Sequence, residues 1–187
     1  MMRAKLLFLS FFICLVSQAG SAHAQTKTTL PISAELGTSI AESQFPLGLR
    51  LETVNLLVTE PGVLFPSTTR LAMQVRFQAY DHRPDEGIAI SEMGRARFSG
   101  ELDFDPATRE ILLHDPRVDQ LTFDRDNAVT KRLLVELRTA WDQQAENPLR
   151  TEFPQHPFVA PFKEFIQDVS YDGKNITLEF SYGPYQP

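Results

Sequence analysis

The chain has 187 residues, of which 22% are charged and 42% hydrophobic, with 9 glycines. These are the proportions of one ordinary globular domain, and they exclude wholesale disorder, collagen and coiled coil. A net charge of −6 makes DNA or any other nucleic acid a poor partner, and an unspecialised anionic membrane surface likewise.

The first 24 residues read as a leader. Arg3 and Lys5 form a short basic start, Leu6–Val16 is an apolar run of 11 broken only by Ser10, and the stretch ends Ala22-His23-Ala24. This is the plan of a secretory signal peptide cleaved before Gln25. A membrane-spanning helix needs roughly 20 apolar residues, more than this run supplies. The expectation is a single domain over 25–187, exported to the periplasm of a Gram-negative envelope. Loss of Arg3 and Lys5 leaves 16 basic against 24 acidic residues, a net charge of −8. Cys14 is the only cysteine and leaves with the leader. Disulfides, a thiol nucleophile and cysteine-ligated metal are therefore not expected.

After a polar lead-in over 25–31, Ser33 is placed to cap a short helix from Ala34 to about Ser43, ended by Pro46. Leu49–Thr59 is predicted as one strand, with Leu49, Leu51, Thr53 and Leu57 alternating and Val54 and Leu56 blurring the pattern. Pro61-Gly62 reads as a turn. Leu71–Tyr80 is the clearest strand: Leu71, Met73, Val75, Phe77 and Ala79 share one face. A charged loop, Asp81–Gly87, and a strand beginning at Ile88 follow. Arg95–Asp105 repeats the alternation, with Ala96, Phe98, Gly100, Leu102 and Phe104 together. A turn at Asp105–Thr108 and a return strand Ile111–His114 make a hairpin, and Val118–Phe123 is one more strand.

The period then becomes helical. Val129, Leu133, Leu137, Ala140 and Trp141 form a stripe on the longest predicted helix, about 20 residues, capped by Asp126 or Asn127 and stopped by Asn147-Pro148. Four prolines over 148–161 describe an extended stretch. A short helix Phe162–Gln167 and a hairpin turning at Asp172-Gly173-Lys174 complete the chain. Strands joined by short turns, with one long covering helix, place the fold in the α+β class.

Catalytic chemistry finds little support. No G-x-S-x-G elbow is present. His82 sits among Asp81 and Asp85 in the charged loop, and His114 beside Asp115, but no spacing forces convergence on a metal. His156 lies between prolines. The carboxylate pairs Asp103/Asp105 and Asp124/Asp126 adjoin turns. The expectation is no enzyme, no catalytic residue, no metal and no cofactor. The prominent feature is apolar: 11 of the 14 phenylalanines lie beyond the leader, with Trp141. They make either a filled core or a greasy groove between helix and sheet.

The segments RARFSGELDFD, REILLHDPRVDQLTF, AVTKRLLVELRTAWDQQ and FKEFIQDVSYDGKNITLEFSY resemble the YceB-like bacterial envelope lipoproteins, a domain family of unknown function, over about Leu30–Tyr182. The family's fold is similar to tubular lipid-binding (TULIP) domains. The resemblance implies a curved antiparallel sheet wrapped on one long helix over 128–145, with a short N-terminal helix and a C-terminal hairpin. It also implies a seam able to hold acyl chains. Met73, Phe77, Phe98, Leu102, Phe104, Leu133, Leu137 and Trp141 are the candidate seam residues. Unlike those lipoproteins, this chain ends its leader without an acylatable cysteine. The expected function is a soluble periplasmic module binding a phospholipid or fatty acid, for lipid transport or envelope maintenance, with transient membrane or envelope-protein contact. The rival readings are a non-enzymatic envelope interaction protein with a filled core, presenting a sheet edge or 148–161, and, more weakly, a hydrolase using His82 or His114. Oligomeric state is left open.

Overall fold

The structure is a computed structural model that describes residues 26–51, 54–81 and 90–182. The leader over 1–24, the charged loop with His82, and Ile88 lie outside the described residues. Lys27–Ser181 form one compact unit.

Among the described residues, nine strands divide between two sheets. The larger has six strands in sequence order: β1 belongs to the smaller sheet, and β2 (Leu47–Arg50), β3 (Val54–Leu64), β4 (Leu71–Asp81), β5 (Ile90–Asp105), β6 (Glu110–Phe123) and β7 (Leu149–Glu152) follow one another as antiparallel neighbours. The smaller sheet has the order β1 (Thr26–Ile32), β9 (Ile176–Tyr182), β8 (Ile166–Tyr171). The described residues also form two α-helices, α1 (Ala34–Glu42) and α2 (Ala128–Gln144), and a 3₁₀ turn, Ala160–Phe165. The class is α+β, dominated by antiparallel sheet.

Local chemistry explains most boundaries. Ser33 Oγ accepts from the Leu36 amide and starts α1. Asn127 caps α2 through a reciprocal box: its side chain accepts from the Thr130 amide at 2.9 Å, and Thr130 Oγ1 accepts from the Asn127 amide at 3.0 Å. Asp105 Oδ1 accepts from the Ala107 and Thr108 amides in the β5–β6 turn. The β8–β9 turn closes the same way, with Asp172 Oδ1 accepting from Lys174 and Asn175. Its Gly173 has φ +88°, a conformation that suits glycine.

Several sequence expectations need correction. The short helix expected over Phe162–Gln167 is the 3₁₀ turn Ala160–Phe165, and Ile166 and Gln167 already belong to β8. The polar lead-in is strand β1, because its backbone pairs with β9. The single strand over 49–59 is two, β2 and β3, folded on each other with Leu49 opposite Leu56; the blurred alternation marks a reversal. Pro61-Gly62 is no turn but lies within β3: Glu60 and Pro61 oppose Val75 as a bulge, with Glu60 at φ 49°. A proline without an N–H fits that unpaired position. The strands expected at 111–114 and 118–123 are one strand, β6, carrying an irregularity at Asp115-Pro116.

The sheet curls. Leu49 of β2 and Leu149 of β7, at opposite edges of the sheet, line one hollow together. The core on this inner face joins Val54, Phe77, Ala79, Ala96 and Leu121 to Leu133 and Leu137 of α2. Gly94 gives close approach: a methyl there would collide with the Phe77 ring and the Thr122 carbonyl. The expected long helix wrapped by the sheet is not seen; the helix on this face is shorter. Helix α2 has 17 residues, a length of about 25 Å, and buries only Thr130, Leu133 and Leu137.

A second group of buried residues lies where the small sheet meets β5. Ile166, Val169, Leu178 and Phe180 are buried, and β8 runs along β5. The Phe104 and Phe153 rings meet edge-on at 5.7 Å. Tyr171 donates its hydroxyl to the Ser67 carbonyl at 2.7 Å and packs its ring on Phe65; burial raises its pKa. Helix α1 lies on β3, where the Val63 amide donates to Thr38 Oγ1.

Candidate functional site

Along β4 the inner-face side chains change from sealed to open. Ala79 and Phe77 are buried, whereas Met73 and Leu71 are only half-buried. Along α2 the same progression runs from Leu133 to Trp141. The two progressions share a direction. Asn127 at the start of α2 donates its amide to Glu92 Oε1 at 3.0 Å, and Glu92 pairs with Ala79. Glu92 is therefore a buried carboxylate beneath a helix N-terminus, where the helix dipole and the amide satisfy it.

Toward the other end, helix and sheet enclose a cavity of about 680 Å³. That is within the roughly 300–1,000 Å³ of small-molecule sites. Its floor is the middle of the sheet, with Met73, Val75 and Phe77 from β4 and Ala96 and Phe98 from β5. Leu137, Ala140 and Trp141 of α2 form one wall, with Leu113, Val118 and Leu149 beside it. The opposite wall comes from Leu47 and Leu49 of β2, Leu51 just after it, and Leu56 and Val58 of β3, with Phe45 leading in. Trp141 stacks on Phe98 with ring centroids 5.0 Å apart, which holds the helix to the sheet at this end. Among the described residues the lining is apolar except for Arg50 and Gln144. The rim is greasy as well, with Leu49 48% exposed and Leu47 40%.

Of the eight predicted seam residues, Met73, Phe77, Phe98, Leu137 and Trp141 converge on this cavity. Leu133 is 0% exposed and seals the closed end. Phe104 is buried against Phe153 in the second cluster, and Leu102 pairs with Leu113 across β5–β6 without joining the lining. These three share strand or helix periodicity with the lining residues but stand too far along their elements. The β2–β3 wall was missed, because reading 49–59 as one strand hid the reversal that turns both leucine sets inward. The available signal was the clash of two alternation phases at Leu51–Val54.

The polar candidates do not gather. His114 Nε2 lies 3.1 Å from Asp103 Oδ2 in a half-exposed pair. Asp124 pairs with Arg76, and Asp126 with Lys131. His156 Nδ1 accepts from the Phe158 amide. Among the described residues no three His, Cys, Asp or Glu side chains come together in a way that could hold a metal ion. Nor is any helix among them long and apolar enough to cross a membrane.

Compared with known proteins, the chain matches no protein-family model and no curated relative.

Proposed function

We propose that this chain is an exported periplasmic protein that binds an apolar ligand, a phospholipid or fatty acid, between its sheet and helix α2. The observation that carries the reading is the 680 Å³ hollow with its nearly all-apolar lining. Water gains little from such a lining, so acyl chains displace it favourably, at about 25 cal/mol per Å² of apolar surface before ordering costs. The helix-on-curled-sheet arrangement is compatible with the TULIP-like reading of the YceB-like resemblance. In that reading the protein carries lipid or maintains the envelope without chemistry of its own.

The test is native mass spectrometry of the protein purified from its own periplasm, with its organic extract analysed for lipid. A discrete lipid adduct, lost in Leu137→Asp while the protein stays folded, is the expected result. A bare mass that stays unchanged after incubation with lipid vesicles would overturn the reading.

One observation favours the rival, an envelope interaction protein. Phe158, Phe162 and Phe165 stay well exposed at the end of the proline-rich stretch, an apolar surface suited to a partner. Capture of a defined envelope protein, lost on Phe158→Ser with Phe162→Ser, would support it.

A further inference from the structure

The outer face of the large sheet, away from the hollow, gathers positive charge. Strand register fixes which side chains share it. Arg76 of β4 stands directly opposite Arg95 of β5, and Gln74 opposite Arg97; they alternate with Val75, Phe77 and Ala96 of the inner core. On β6, Thr122 stands opposite Arg95 and Gln120 opposite Arg97. Like charges directly opposite on one face cost stability. Asp124 meets the charge of Arg76 at 2.8 Å. Arg95 and Arg97 have no ion-pair partner among the described residues, and Arg97 Nε is buried without a hydrogen-bond partner.

The next row along this face is apolar. Leu57 of β3 and Met93 of β5 both stand opposite Gln78, and they are 37% and 38% exposed. In a chain with more acidic than basic residues, arginines set against each other beside exposed apolar side chains are a cost that the fold itself does not recover. The shape of the face narrows the partner. The sheet curls around the hollow, so its outer face is convex. A convex face cannot surround a small anion with donors, whereas a fluid bilayer conforms to it.

We propose that this outer face docks on an anionic phospholipid bilayer, with Arg95 and Arg97 against headgroup phosphates and Leu57 and Met93 entering the acyl boundary. Arginine offers phosphate a planar fork of N–H donors, and apolar residues beside basic ones suit the headgroup region. Salt screens the chain's net negative charge beyond about 8 Å, so contact is decided by the charges on the face itself. The inference goes beyond the apolar-ligand reading and does not rest on it.

The experiment is vesicle flotation of the protein expressed from its full coding sequence. Wild type should float with vesicles of equal parts phosphatidylglycerol and phosphatidylcholine, and much less with phosphatidylcholine alone. Arg95→Gln with Arg97→Gln should weaken binding to the anionic vesicles about thirtyfold, from the loss of two basic groups at the surface. Arg95→Lys with Arg97→Lys should keep most of it, and raised salt should weaken wild type. Leu57→Ser with Met93→Ser should weaken binding without changing its salt dependence. Lipid held in the hollow, read by native mass spectrometry, should be the same in the double glutamine variant as in wild type, which separates docking from ligand binding.

Anionic vesicles that fail to float wild type would overturn the proposal whatever the hollow contains. So would equal binding to both vesicle types, or binding unchanged in the double glutamine variant. Tighter binding to polyglutamate than to the anionic vesicles would overturn the bilayer in favour of an acidic protein partner.

Discussion

The inner face of the large sheet has a sealed half and a hollow half, built from the same kinds of residue. In the sealed half, Val54, Ala79 and Leu133 exclude water almost completely, and the Phe77 and Phe123 rings meet edge-on at 5.3 Å. In the hollow half, Leu71, Met73 and Leu113 are as apolar but line open space. Hydrophobicity alone therefore does not say whether a face is core or site. The separation of the covering helix from the sheet does, and α2 is pinned at its start by Asn127 and Glu92 and propped near its end by Trp141 on Phe98.

The largest effect should come from the sealed half. Leu133→Ala leaves a void among fully packed neighbours and should cost about 3 kcal/mol, measured by urea unfolding. Overpacking sharpens the comparison. Ala79→Phe should cost about 1–3 kcal/mol, because its site has no room. Ala140→Phe places the same bulk against the hollow and should change stability by less than about 1 kcal/mol, while reducing uptake of a lipid probe. If Ala140→Phe proves as costly as Ala79→Phe, the two halves are equally packed and the hollow is not a site.

Asn127→Ala removes the helix cap and the amide that serves Glu92. A cap alone is worth about 1 kcal/mol, and the loss should appear in thermal unfolding together with faster amide exchange in the first turn of α2.

The smallest effect lies outside both halves and serves as a control. The carboxyls of Asp105 and Asp172 are held below the ordinary aspartate value, chiefly by the backbone amides they accept from. A lowered folded-state pKa means their contribution is present above the unfolded value and is lost as pH falls through the folded one. Both should titrate below the ordinary 3.8 in NMR pH titrations. Acidification toward that range should loosen the β5–β6 and β8–β9 turns first.

Much of the fold was legible residue by residue. Strict alternation over Leu71–Tyr80 matched β4 because period two leaves one reading when both faces differ in polarity. The stripe from Val129 to Trp141 matched α2, with Asn127 as its cap. The lead-in strand was not legible, because TKTTLPI has no alternating apolar face and is held by its neighbour in the sheet. The bulge at Glu60-Pro61 was misread because a proline-glycine pair marks a backbone irregularity without saying whether the chain reverses there.

For the site, local patterning marked five cavity residues as inward-facing, since side-chain direction follows from period and strand or helix type. It also marked Leu133, Leu102 and Phe104, for the same reason and with the same weight. Their separation into lining, seal and second cluster depends on how far α2 stands from each point of a curled sheet. So does the arrival of Leu49 and Trp141, about ninety positions apart in the chain, on the lining of one hollow. Curl and helix placement are sums over many strand twists, bulges and packed side chains. No local run of sequence carries them, which is why the apolar faces could be read from the chain and the hollow between them could not.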